Sequence, residues 1–379
     1  MEAANQQAPR WISGIEPSKE MLAASGTQIL EIECREQPER LCDLIQAYGS
    51  DPEIRGQLRK FRDAAQKNGS ILFIGMGASY CSAISGSVCL QSHGRPSFTV
   101  DAGEWLHYGR PVWRDAALSL LLTTSGESAE LVELIRSEGN SGSEDKSGSA
   151  RDSALGLICN NPASTCWKLT EDKLPILAGP EYGNATKTYT NATAASIILA
   201  SEILDRPWEE DALRAAEIFA ASLERVFALR GELEAFCRGA ANIEIVGRGA
   251  AYGGAIMSAL CIREMSGFRA APHTGAGFKH GPNLDVDASH LAIIFALGRA
   301  ASLGVKLAEE CNRRGGKVVL VSAGEHTATG KLLPVRIDAV PEPWEGITSV
   351  LVPQALTLAM VERTGCRLPP RFQYGTMEQ

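Results

Sequence analysis

The 379-residue sequence predicts an α/β protein built from two tandem, doubly wound parallel-sheet units with flanking helices. Three observations predict it. Ile71–Tyr80 (ILFIGMGASY) and Ile243–Tyr252 (IEIVGRGAAY) are near copies 172 residues apart, each an apolar run entering Gly-x-Gly-x-x-Tyr. Two further pairs of apolar runs follow: Ala116–Thr124 with His290–Leu297, at nearly the same offset, and Ala154–Asn160 with Lys317–Ser322, which completes the parallel. Between these runs lie stretches of helical length, and short buried strands alternating with helices call for parallel strands joined by crossovers. A chance match at one strand would not persist across three, so the chain reads as an internal repeat.

The elements follow in order. Residues 1–65 form an N-terminal helical segment, helical from 14 onward, with the apolar positions of Leu41–Tyr48 at helical spacing. Residues 66–207 are the first sheet unit, interrupted by Gly139–Ser153 (GNSGSEDKSGSARDS), a low-complexity surface loop. Residues 208–240 read as a helical connector, with apolar Leu213, Ile218, Phe219, Leu223, Val226 and Phe227 among charges. Residues 241–365 are the second unit. Residues 366–379 are a tail that Pro369-Pro370 predicts to be extended.

Composition narrows the function. Thirty-seven Lys+Arg against 45 Asp+Glu leave a net charge of −8, which argues against a nucleic-acid or anionic-membrane surface. The longest apolar runs hold about seven residues where a membrane span needs roughly 20. Met1–Ser13 is polar, without a basic-then-apolar export pattern, so a cytoplasmic location is expected. The ten cysteines form no Cys-x-x-Cys pair and the six histidines no His-x-x-x-His pair. Buried reduced thiols are expected, with no metal and no cofactor.

Two strand–loop–helix junctions of the first unit carry hydroxyls: Gly75-Met76-Gly77-Ala78-Ser79 and Thr123-Thr124-Ser125-Gly126-Glu127-Ser128. Strand C-termini that open onto helix N-termini are natural anion sites, and glycines let the backbone approach a phosphate. Ser125 followed by Ser128 also reads as a simple helix cap. A Walker loop is excluded because neither junction has Gly-Lys-Ser/Thr; the dinucleotide fingerprint fails because its sixth position is Tyr80. The second unit has lost these hydroxyls, its matching loop being Ala296-Leu297-Gly298-Arg299-Ala300. It offers Glu264 on Cys261–Ser266 and His280 in the Gly-rich Thr274–Pro282 (TGAGFKHGP). By spacing alone, Glu264 reads equally as a solvated or ion-paired carboxylate and His280 as a structural imidazole.

Taken together, Ser125-Gly126-Glu127-Ser128 after a strand, Thr186–Thr190 (TKTYT), Glu264 and Lys279-His280-Gly281-Pro282 resemble the SIS (sugar isomerase) family. The likeness covers about residues 30–370 and includes Glu33 and Glu36-Gln37-Pro38. It is nearest to the isomerase half of glucosamine-6-phosphate synthase and to fructosamine-6-phosphate deglycases and deaminases. The resemblance implies flavodoxin-like SIS units and a sugar 6-phosphate held by Gly77, Ser79, Thr123, Thr124, Ser125 and Ser128. It places Asn184, Ala185 and Thr186 against the sugar, Glu264 as the base and His280 as the ring-opening group. It also implies a homodimer whose site is shared between subunits. The sequence departs from the synthase pattern, with Cys261 and Met257 where the synthase has a lysine and an acid, and with Lys331 as its last lysine. Residue 2 is Glu rather than the cysteine nucleophile of a glutaminase. The expectation is therefore C1–C2 proton transfer with deglycation or deamination of a substrate that brings its own amine. The alternatives are a synthase-like aldose–ketose isomerase or a non-catalytic sugar-phosphate sensor.

Overall fold

Helix α1 (Gly26–Ser50) opens the fold, started by a capping box in which Ser25 and Gln28 bond each other's backbone. The computed structural model describes residues 24–109, 116–139 and 154–367. Asp51 ends α1 and caps α2 (Pro52–Ala65), whose proline stands in the first turn, where no N–H bond is lost. The expected start of the helical segment, the loop 140–153 and the tail 368–379 lie outside the described residues.

The first unit comprises β1 (Ser70–Gly75), α3 (Ala78–Ser92), β2 (Ser97–Asp101), β3 (Ala116–Thr123), α4 (Ala129–Gly139), β4 (Ala154–Cys159), α5 (Thr165–Leu169) and β5 (Lys173–Pro175). Its strands are parallel in the order β2-β1-β3-β4-β5. Helices α6 (Lys187–Ile203), α7 (Glu209–Ala228) and α8 (Arg230–Cys237) lead onward. The second unit comprises β6 (Asn242–Gly247), α9 (Ala251–Ser266), β7 (Ala270–Thr274), α10 (Gly275–Lys279), β8 (His290–Ala296), α11 (Ala301–Arg313), β9 (Lys317–Ser322) and β10 (Leu332–Arg336). Its order, β10-β9-β8-β6-β7, is the first unit's order read from the other edge, and all its pairings are parallel too. Helices α12 (Glu345–Thr348) and α13 (Leu351–Thr364) close the described chain. Among the described residues no helix is long and apolar enough to cross a membrane.

The six central strands fall where the apolar runs predict. The four strands that the runs do not reveal, β2, β5, β7 and β10, are all sheet edges. An edge strand is covered on fewer sides and needs no unbroken apolar run; β10 even tolerates Pro334. The connector is two helices rather than one, interrupted at Leu229, and Leu213 is 53% exposed instead of belonging to the apolar face.

The sheets are joined through helices in a sheet–helix–helix–sheet arrangement, α3 packing on β1 and on α9, and α9 on β6. One continuous core results, running from Phe73 and Leu120 to Ile293 and Val319. Every residue of α6 is buried; most are apolar or small, and its two ions, Lys187 and Glu202, are paired with Glu36 and Arg55. The helices come close because small residues face backbone. A Cβ on Gly86 would stand 2.7 Å from the Ser196 carbonyl oxygen, and one on Gly253 would stand 2.5 Å from that of Cys81. Gly86→Ala should therefore destabilise the protein by about 1–3 kcal/mol through overpacking, although alanine is the better helix former by about 1 kcal/mol. Urea denaturation checks this, and equal or greater stability would show that the α3–α6 contact yields freely.

Candidate active site

In the first sheet the chain leaves β1 toward β2 on one side and then crosses to β3 on the other. The strand order reverses between β1 and β3, and the crevice beyond their C-terminal ends is where open α/β sheets bind ligands. The two hydroxyl-bearing loops of the sequence flank it. Gly77, at φ +53°, turns the chain into α3, whose first N–H groups carry no side-chain cap. Gly126, at φ +68°, is equally constrained, since a Cβ there would stand 2.1 Å from Ser164 Oγ.

The hydroxyls divide into two groups. Thr123 is buried and its Oγ1 accepts the Gly126 N–H at 3.0 Å, while the exposed Ser125 Oγ accepts the Glu127 N–H at 3.2 Å. Glu127 in turn accepts the Thr165 N–H at 2.9 Å, fastening the loop to the start of α5. Thr123 and Ser125 thus shape the loop. The hydroxyls of Ser79, Thr124 and Ser128, all half-buried, have no hydrogen-bond partner among the described residues. A cavity of about 640 Å³ opens beside Gly77, between α3 and α9, lined by Tyr80, Cys81, Trp105, Ile256 and Leu260. Its size is ordinary for a small-molecule pocket.

Asn184, Ala185 and Thr186 lie in the loop before α6. Thr186 does not face a crevice, because its buried hydroxyl donates to Glu181 Oε1 at 2.9 Å and its N–H does the same. Ala185 packs against the main core. Asn184 is 1% exposed and its Nδ2 donates to Glu264 Oε2. The structure thus brings the first unit's loop to the second unit's carboxylate. Glu264 stands in the last turns of α9, which Gly267 ends in the left-handed region. Cys261, one turn earlier, is buried, and burial followed by the Glu264 charge pushes its thiol up to about 12. His280 is exposed at the end of α10, and its ring has no hydrogen-bond partner among the described residues.

Two carboxylates prove central that sequence reasoning either gave no role or missed. Glu33 of α1 is fully buried and accepts the N–H groups of Tyr182 at 2.5 Å and Gly183 at 3.3 Å. Burial first, then the charge of Glu181, raises its pKa well above the ordinary carboxylate range. Glu181 accepts from Thr186 and from both the N–H and hydroxyl of Thr188, yet burial still raises it. The available signal was an acid just ahead of Thr186-Lys187-Thr188, where a starting helix leaves N–H groups in need of acceptors.

The second unit repeats the topology without the chemistry. Gly249 and Gly298, at φ +55° and +61°, match Gly77 and Gly126, but carboxylates occupy the loops. Glu342 accepts the Arg299 N–H and pairs with its guanidinium. Glu345 is 6% exposed; a Cβ on Gly298 would stand 2.9 Å from its Oε1, and burial raises its pKa to about 7. A carboxyl raised in the folded state favours folding while protonated and loses that contribution as pH climbs from about 4.5 through 7. Glu345→Gln should therefore gain about 2–3 kcal/mol relative to the parent between pH 5 and pH 8, read by urea melts at both. A constant difference would mean that Glu345 is charged and compensated.

The family model described as SIS domain matches residues 65–201 and 238–361. A glutamine–fructose-6-phosphate aminotransferase (isomerizing) of Pyrococcus horikoshii is 28% identical over 332 residues, 85% of this chain and 52% of that protein. The enzyme of the same name from Zymomonas mobilis is 27% identical over 263 residues, 66% of this chain and 42% of the relative. The chain thus spans about half the length of the curated relatives it matches. Among solved structures, the C-terminal domain of glucosamine-fructose-6-phosphate aminotransferase from Francisella tularensis superposes with a TM-score of 0.77 at 19% identity, covering 90% of this chain and 98% of that one. Tagatose-6-phosphate ketose/aldose isomerase from Escherichia coli gives 0.68 at 17%, covering 90% and 95%. Glucosamine-6-phosphate deaminase from Thermotoga maritima gives 0.62 at 17%, covering 88% and 96%.

Proposed function

The chain belongs to the SIS-domain family, and on that premise we propose that it is a phosphosugar enzyme. Its substrate is a 6-phosphorylated amino sugar or fructosamine, and its reaction is proton transfer between C1 and C2 with deglycation or deamination. The observation that carries this reading is the Asn184–Glu264 contact, which joins a carboxylate of the second unit to the loop side of the first. Relatives that act on fructose 6-phosphate, and a neighbour that interconverts ketose and aldose phosphates, support a phosphosugar substrate.

Each residue then has a task set by its chemistry. The phosphate rests at the β1/β3 crevice on the first N–H groups of α3 and on hydroxyls of Ser79, Thr124 and Ser128, with Thr123 and Ser125 holding the loop in shape. Glu264 removes the proton from C1 of the opened ketosamine and returns it to C2, one carboxylate serving both carbons. The product imine takes up water and releases the amine with a hexose 6-phosphate. Ring opening needs a group that trades protons with ring oxygen and hydroxyl near neutrality, which suits imidazole. His280 is exposed and free of hydrogen bonds among the described residues, which supports its serving the site of a second copy in a homodimer. Cys261 and Met257 are both buried and supply no ammonium to the site, which favours a substrate that carries its own amine.

The test is a proton NMR time course in deuterated water. The panel holds glucosamine 6-phosphate, galactosamine 6-phosphate, fructose 6-phosphate with ammonium, and several 6-phosphofructosyl amino acids. Amino-acid release marks a deglycase and ammonium release a deaminase; deuterium entering C1 or C2 without release marks a plain isomerase. Unchanged substrates throughout would sink the enzymatic reading. Glu264→Gln should lower turnover by about 10²–10⁴-fold while the dissociation constant stays within about threefold. Full activity in that variant would place the base elsewhere. Thr124→Ala with Ser128→Ala should weaken binding of a 6-phosphorylated sugar by about tenfold or more, measured by calorimetry. An unchanged constant would remove the phosphate from this crevice.

A further inference from the structure

We propose that Asn184 is a positioning residue for Glu264 and that Glu33, on the N-terminal helix, sets where Asn184 stands. This rests on the reading of Glu264 as the base. The loop carrying Asn184 is pinned on both sides. Before it, Glu33 holds the N–H groups of Tyr182 and Gly183, and a Cβ on Gly183 would stand 3.0 Å from Glu33 Oε2. After it, Glu181 holds the N–H and hydroxyl of both Thr186 and Thr188. Between the two pins the carboxamide meets Glu264. A carboxylate only accepts and an amide –NH2 only donates, so the chemistry fixes which end of Asn184 faces Glu264.

The other end argues that the residue is not there for the fold. Asn184 Oδ1 is buried without a hydrogen-bond partner among the described residues. An unpaired buried acceptor is destabilising, and an apolar side chain of the same shape would avoid the penalty. What the amide supplies is a donor on one oxygen of the base. That donor holds one oxygen of the carboxylate, and it favours the ionised form that can accept a proton.

Among the described residues, several titratable groups act on Glu264 and Cys261 or on the loop behind them. On α3 there is Cys81, after α13 Cys366 and, behind the loop, Glu181 with Glu33. Cys81 and Cys261 are pushed up to about 12, chiefly by burial, and stay neutral across the working range. Lys187, paired with Glu36, is a cation that acts on both Glu33 and Glu181, and Arg263 and Arg367 flank the end of α9.

The test titrates Glu264 directly. Protein labelled with carbon-13 at glutamate side-chain carboxyls is followed by NMR against pH, and the Glu264 signal is assigned by its loss in Glu264→Gln. Asn184→Leu and Asn184→Ala should raise the Glu264 midpoint by about one to two pH units. Asn184→Asp should raise it further, because two carboxylates would then share one proton. Glu33→Gln should move it in the same direction by less, since its amide cannot accept both backbone N–H groups. An unmoved midpoint in both Asn184→Leu and Asn184→Ala, with native circular dichroism, overturns the role of Asn184. A shift there but none in Glu33→Gln overturns the part given to Glu33. With an active substrate from the panel, Asn184→Leu should lower kcat about tenfold, with KM little changed and the acid limb of kcat/KM moved upward. A raised KM with unchanged kcat would make Asn184 a substrate contact instead. The titration needs no turnover, so a panel without any reaction would overturn the reaction class while the shifted midpoint still upheld the contact.

Discussion

Helix α1 holds the two halves of the site in one frame through three polar side chains that point inward. Glu33 anchors the loop before α6, Glu36 pairs with the buried Lys187 at the start of that helix, and Gln37 bridges Thr190 of α6 and Gln354 of α13. Buried polar groups left without partners cost about 1–3 kcal/mol each, and a buried ion missing its partner costs more. The clasp is therefore close to all-or-none: each group is tolerable only where its partners are, and the partners sit on elements of both sheet units. The helix contributes no group to the crevice itself, yet it decides where the loop carrying Asn184 runs.

Around that clasp the two sheets approach through helices with little side-chain bulk at the contacts. Glycines 86, 253, 254 and 346 each stand where a Cβ would collide with a neighbouring serine or cysteine, side chain or backbone. Close backbone approach puts the end of α9, with Glu264, within electrostatic reach of Cys81, one turn into α3. Larger residues would hold the units farther apart and separate the base from the loops it must serve. The packing of this layer and the chemistry of the site are consequently one requirement.

The two units share strand order and the positive-φ glycines at their crevices, yet they have diverged at the residues that would meet a ligand. Thr124, Ser125 and Ser128 in the first are answered by Glu342 and Glu345 in the second. Unpartnered hydroxyls can accommodate an anion, whereas Glu342, paired with Arg299, and the buried Glu345 fill the same place in the second unit. The duplicated scaffold thus provides one crevice suited to a phosphate and one closed by its own side chains, and the second unit serves the first by presenting Glu264.

Much of this was legible in the residues. Central strands are buried on both faces and must be apolar throughout, so β1, β3, β4, β6, β8 and β9 could be read directly, and with them the loops at their ends. The edge strands, and Leu213 on the outer face of α7, were not, because an edge or a surface tolerates many compositions. Thr186, which the resemblance put against the sugar, donates internally to Glu181; Glu33 had no role assigned and Glu181 was not singled out, yet the buried Glu33 and the half-buried Glu181 pin the loop. The reason is the same in each case. Periodicity and motif spacing record which way a residue faces along its own element, and so they determined the α/β repeat and the crevice loops, while Glu264 and His280 became candidates only through the family resemblance. Which groups meet across elements 80 or 150 positions apart, such as Asn184 with Glu264 and Gly183 with Glu33, depends on how helices pack. Only the tertiary structure decides that, because the hydrogen bonds involved link residues with no local pattern in common.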